Sequence, residues 1–140
     1  METTTKLLNG GLAVDDRGSV SFVNDFTFDG VKRFYQVENH KRGFIRAWHG
    51  HVKEGKYVYV CQGSALIGAV NLETEEIQKF VLSSKSPKIL WIPPNYANGF
   101  KSLEENTKII FFSTSTLEES VGDDIRFDYA KWNIWDEEYR

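Results

Sequence analysis

Residues 43–63, GFIRAWHGHVKEGKYVYVCQG, decide how this chain is read. Two of its three histidines stand here as His49 and His51, with Arg46 and Lys56 on either side, so proton-handling and anion-binding groups are concentrated in one short stretch. Side chains on an extended strand alternate between its faces, so His49 and His51 point the same way, in the company of Ile45 and Ala47. Two imidazoles entering one apolar-walled space make a site rather than a solvated surface. Beyond Val52-Lys53-Glu54-Gly55, where Glu54 reads as a turn carboxylate, Val58 and Val60 alternate with Tyr57, Tyr59 and Cys61. Both faces of that run are apolar, which places it in the interior of a sheet or barrel.

The flanking sequence repeats this rhythm. Asp15-Asp16-Arg17-Gly18 is a turn signal leading into a strand over 19–24, and residues 31–37 form a second strand with Val31, Arg33, Tyr35 and Val37 on one face. Further strands are expected over 44–51, 56–62, 65–72, 77–82, 88–92 and 108–113, with Pro93-Pro94 ending one of them because proline cannot donate to a ladder. Helical periodicity is nearly absent. The pattern predicts an all-β domain, a barrel or sandwich, covered by the aromatic tail 123–135.

Composition limits the partners. At 140 residues the chain is read as one domain, 1–140, without any need of disulfides. Cys61 is the only cysteine and sits in an apolar run, where a small buried hydrophobe in a reducing compartment is the expected role. The net charge of −3 with scattered basic residues argues against a nucleic-acid surface. No apolar run approaches a membrane span of ~18 residues, and METTTKLLNGG lacks the plan of a secretion signal. A soluble cytoplasmic protein is expected.

The spacing of Gly43, His49, His51, Glu54 and Gly63 is similar to the first motif of the cupins, some of which hold metals. In those proteins a later hairpin supplies another histidine, and here Asn98 stands in that place. An amide oxygen is a poor ligand beside two imidazoles, so neither a metal nor a cofactor is expected. A longer resemblance runs through Arg46-Ala47-Trp48-His49, Gly55-Lys56-Tyr57-Val58-Tyr59-Val60 and Ile92-Pro93-Pro94-Asn95-Tyr96-Ala97-Asn98-Gly99-Phe100, together with Asp15-Asp16-Arg17-Gly18 and the aromatic tail. In their order these motifs resemble the dTDP-4-keto-6-deoxyglucose 3,5-epimerase family. Lys32-Arg33-Phe34-Tyr35 and His49-Gly50-His51 resemble the sister family of dTDP-sugar 3,4-ketoisomerases.

The resemblance implies a cupin β-barrel of jelly-roll type, a homodimer, and a nucleotide-linked keto-sugar as substrate. It implies His49 as the base that removes a proton beside a ketone, Lys56 as the cation that stabilises the enolate, Tyr35 as acid or relay, and His51 as a second shuttle. Arg46 and Arg17 would bind diphosphate or sugar oxygens, Arg33 and Asn98 would contact substrate, and Trp48 would cover the nucleotide base. The sequence departs from the epimerases in four places, one of them Val70-Asn71-Leu72-Glu73 where that family has Val-Asp-hydrophobic-Arg. No tyrosine follows the strand 109–113, Asn98 replaces a histidine, and the aspartate that partners the base in that family is expected to be missing. These departures favour inversion at one carbon, or carbonyl migration, over double epimerisation.

Overall fold

The computed structural model describes residues 3–140; Met1 and Glu2 of the N-terminal stretch read above lie outside the described residues. In chain order the elements are β1 (Lys6–Asn9), β2 (Gly11–Asp15), β3 (Gly18–Phe22), β4 (Arg33–Asn39), β5 (Ile45–His51), β6 (Lys56–Gln62) and β7 (Ser64–Asn71). They continue with β8 (Ile77–Ser83), β9 (Lys88–Ile92), β10 (Tyr96–Ser102), β11 (Thr107–Ser113), α1 (Leu117–Val121) and β12 (Ile125–Arg126). One five-stranded sheet runs β1-β9-β6-β11-β4 and a second runs β12-β5-β10-β7-β8, all antiparallel, while β2 and β3 pair only with each other. The two large sheets face one another as a flattened barrel, the cupin jelly roll.

The alternation that marked the strands also builds the core. Val58 and Val60 of β6, Ile109 and Phe111 of β11, and Leu90 and Ile92 of β9 point inward, where they meet Ala65, Ile67 and Ala69 of β7 and Tyr96 and Phe100 of β10. Tyr35 and Val37 pack against this cluster from β4, as their spacing predicts. Cys61 differs from its expected place: it is half-buried on the outer face of β6, its thiol 3.5 Å from the carbonyl of Lys108.

A second apolar cluster lies on the outer face of the other sheet. Trp48, Val70 and Ala97 are covered there by Trp132 and Trp135 of the tail, with Phe127 and Ile134 packed alongside. The tail therefore covers the barrel as expected. It is anchored by backbone exchange between Trp48 and Phe127, 3.1 Å in each direction, and by the Trp48 and Trp135 indole N–H groups donating to the Tyr129 carbonyl. Gly68 is required beneath this cluster, because a methyl group there would run into the Trp48 ring.

One irregularity re-aims β5. Asn98 pairs with His49 and Phe100 with Arg46, so the single residue Gly99 opposes the two residues Ala47 and Trp48. This two-against-one arrangement is a β-bulge, and it inverts the alternation along the strand. The side of β5 that carries His49 and His51 therefore carries Arg46, while Ile45 and Ala47 belong to the outer cluster, which corrects the simple strand reading. Gly99 permits the bulge, since a Cβ there would meet the Ala47 side chain and backbone.

Replacing Trp48 by alanine should lower the unfolding free energy by about 3–5 kcal/mol, because the ring is fully buried and its cavity would remain. Urea denaturation checks the loss, and limited proteolysis should show the 127–135 segment cleaved first.

Candidate active site

A cavity of about 290 Å³ lies between the sheets, walled by Tyr35 and Val37 of β4, Arg46, His49 and His51 of β5, Lys56 of β6, Asn98 and Phe100 of β10, and Phe111 of β11. Its remaining wall is the C-terminal segment, which supplies Ser120, Val121, Asp124 and Arg126. That segment is held by side chains chosen for the purpose. Asp123 accepts the backbone N–H groups of Val52, Lys53 and Glu54 at 2.9, 2.8 and 3.1 Å, and Lys32 pairs with Glu119 at 3.0 Å. Burial opposes the charge on Asp123, but these three donors outweigh it and hold its carboxyl below the usual range.

Glu54, behind the cavity wall, joins two of the lining side chains in an ionic cluster. Lys56 and Glu54 are buried, with Lys56 Nζ 3.7 Å from Glu54 Oε2 and His51 Nε2 3.7 Å from Glu54 Oε1. Asp124 Oδ1 lies 3.9 Å from the same His51 nitrogen. Burial pushes His49 below the ordinary imidazole value, and the charges of Arg126 and Lys56 push it the same way against Asp124. Burial and Lys56 also depress His51, opposed by Glu54, Asp123 and Asp124. Lys56 itself is lowered by burial, with Glu54 opposing. Burial raises Tyr35 well above the usual phenol value, reinforced by Glu54, so its hydroxyl stays protonated. Near neutral pH the cavity thus offers a proton acceptor at His49 and a proton donor at Tyr35.

Six of the sequence-predicted residues meet here: Tyr35, Arg46, His49, His51, Lys56 and Asn98. The Arg46 guanidinium stands at the edge of the cavity because its Nε donates to Asn39 Oδ1 at 2.7 Å, while the Asn39 amide donates to Ser102 Oγ. Three others lie elsewhere. Arg17 is on the β2–β3 turn, paired with Asp15 at 2.6 Å and largely exposed, because its hairpin stands apart from the barrel. Trp48 cannot cover a base in this cavity, since the bulge turns it to the opposite face of the sheet under the tail. Arg33 lies behind the wall, its guanidinium 4.8 Å from the Tyr35 ring centre, where its charge acts on Tyr35 and Lys56 rather than on the cavity directly.

Sequence reasoning missed three charged groups. Glu54 is buried rather than a solvated turn carboxylate. Asp124 lines the cavity, 3.9 Å from His51 Nε2, and its charge also acts on His49. Arg126, paired with Asp124 at 3.0 Å, is the third. The one available signal was the run Asp123-Asp124-Ile125-Arg126, an ionic cluster in an otherwise aromatic tail. Among the described residues, no group of three or more His, Cys, Asp and Glu side chains is disposed to hold a metal ion.

Comparison with known proteins places this chain in a family. The family model for dTDP-4-dehydrorhamnose 3,5-epimerase matches residues 10–138. Among solved structures, the dTDP-4-dehydrorhamnose 3,5-epimerase of Bacillus anthracis, with TDP and PPi bound, superposes with a TM-score of 0.80 at 21% identity, covering 93% of this chain and 82% of that one. The dTDP-4-dehydrorhamnose 3,5-epimerase of Sulfolobus tokodaii gives 0.77 at 24% identity, covering 96% and 84%. A TDP-quinovose 3,4-ketoisomerase of Campylobacter jejuni gives 0.72 at 21% identity, covering 90% and 95%. No curated protein sequence matches the chain. The family match extends over almost the whole chain: the protein belongs to the dTDP-4-dehydrorhamnose 3,5-epimerase family and is a sugar-nucleotide isomerase.

Proposed function

We propose that the protein inverts one carbon of a dTDP-linked 4-keto-6-deoxyhexose, with His49 as the base. The observation that carries this reading is a half-buried imidazole, depressed by burial and by neighbouring cations, in the same cavity as a buried ammonium and a protonated phenol. A ketone acidifies the hydrogen on the adjacent carbon. His49 takes that proton, and the electron pair moves onto the carbonyl oxygen as an enolate. Lys56 stabilises the developing negative charge in surroundings poor in water, where a fixed cation acts strongly. Tyr35 returns a proton to the carbon from the other face, which inverts it, and His49 releases its own proton to solvent while Tyr35 is recharged. Arg46 at the cavity's edge takes the diphosphate, for which the guanidinium fork is suited, and Asn98 holds a sugar hydroxyl.

One observation favours carbonyl migration as a second reading. His51 lies in the same cavity, with Glu54 and Asp124 within 4 Å of its Nε2, so a second imidazole is available to relay protons between adjacent carbons. Proton return at C4, with the C3 hydroxyl giving up its proton to a relay imidazole and the C4 oxygen taking one, would then give a 3-keto sugar.

Incubation of dTDP-4-keto-6-deoxyglucose in D2O separates these outcomes by product NMR: label with inverted configuration for epimerisation, a migrated carbonyl for isomerisation. His49→Asn should reduce label uptake by about 10²–10⁴-fold, the usual worth of a general base, while dTDP affinity by calorimetry stays within a few-fold. Retained exchange rejects His49 as the base. Since His49 must be neutral to accept a proton and its folded value lies below the ordinary 6.5, the acid limb of kcat/KM should fall below pH 6.5. A limb above that value contradicts the assignment.

We also propose a homodimer. The β2–β3 hairpin exposes Leu12, Val14 and Val20, and an isolated two-stranded hairpin is marginal in water without cover. A second copy would supply that cover. Analytical ultracentrifugation should show a dimer that Val14→Glu with Val20→Glu dissociates; a monomeric parent protein overturns the proposal.

A further inference from the structure

Glu54 sits in the short connection between β5 and β6, where a carboxylate ordinarily faces water, yet its side chain is completely buried. Its Oε2 accepts a hydrogen bond from Ser113 Oγ at 2.9 Å and lies 3.7 Å from Lys56 Nζ. Its Oε1 faces His51 Nε2 at 3.7 Å and has no hydrogen-bond partner among the described residues. The sheet register explains why a carboxylate is tolerated there. Ser113 pairs with Lys56 on one side and with Arg33 on the other, so Glu54 closes a row of two cations and a hydroxyl. A buried charge persists only when it is paired and hydrogen-bonded, and here each half of the requirement is met by a different inward-facing strand.

We propose that Glu54 is the positioning carboxylate of this site, holding the Lys56 ammonium with one oxygen and the Nε2 edge of His51 with the other. It acts through those two groups and touches no substrate. Its consequence for turnover rests on the reading of Lys56 as the enolate-stabilising cation; its placement does not. Facing Lys56 are Arg33 and Tyr35 from β4, His49 and His51 from β5, Phe111 and Ser113 from β11, and Asp124 from the C-terminal segment. His51 also faces Asp123 and Asp124, and His49 faces Arg126. Of the anions in this set, Glu54 acts most strongly on Lys56, and without it burial and Arg33 both work against the ammonium.

Glu54→Gln keeps the shape and an oxygen for Ser113 while removing the charge. Heteronuclear NMR of the Lys56 Nζ and the His51 ring should show both titration midpoints moving to lower pH, Lys56 by about one to three pH units, the usual effect of an opposite charge at this range. Unmoved midpoints overturn the proposal. Thermal melts give a readout independent of titration: Glu54→Gln should lower Tm in the parent protein but raise it in a Lys56→Met background, where the lone buried charge is relieved. Equal lowering in both backgrounds means that the charge of Glu54 does not act through Lys56 and rejects the proposal. In turnover, the alkaline limb of kcat/KM should move to lower pH with little change in KM. A shifted Lys56 titration with an unmoved limb upholds the placement of Glu54 and rejects Lys56 as the enolate-stabilising group.

Discussion

The site depends on a backbone constraint: one glycine facing two residues. Because Gly99 opposes both Ala47 and Trp48, β5 presents Arg46, His49 and His51 to the interior and sends Trp48 outward. Without that extra residue, strict alternation would put Arg46 and the imidazoles on opposite faces of the sheet. The same displacement gives the outer cluster its central ring, so the bulge serves the cavity and the tail at once.

Inside the cavity, burial and charge act together on each titratable group, and the outcome follows from which one dominates. Desolvation favours the neutral form of every group. For the imidazoles the neighbouring cations add to it, and for Tyr35 the nearby carboxylate adds to it, so each is held toward the neutral form that the proposed proton transfer needs. At Lys56 burial lowers the ammonium, and Glu54 is the strongest of the charges that oppose it.

Much of this was legible in the residue order. The strand 56–62 was read with its observed bounds because a two-sided apolar run between Gly55 and Gly63 has only one way to fold, and Pro93 marked the end of β9 for an equally local reason. The inward face of β4 followed from simple parity. The bulge was not legible, since it arises from pairing with a distant strand, and it misdirected Trp48, Ile45 and Ala47. Strands β1, β2 and β10 were also missed. The first two are short and mostly exposed, and Asn98-Gly99 has turn chemistry that two flanking strands override by holding β10 extended. Arg17 was misplaced because a motif fixes a turn but not the direction in which its hairpin projects. Glu54 escaped because burial of a charge is decided by tertiary neighbours, and Asp124 and Arg126 because tertiary packing brings the tail to the cavity.

The Asp123 clamp joins two stretches far apart in the chain, the C-terminal wall and the 52–54 connection. Since Glu54 hangs from that connection and Trp48 from the strand before it, detaching the last twenty residues is not a peripheral event. Releasing that clamp would therefore open the cavity's remaining wall and free the 52–54 connection together, so the two ends of the site are held by a single carboxylate.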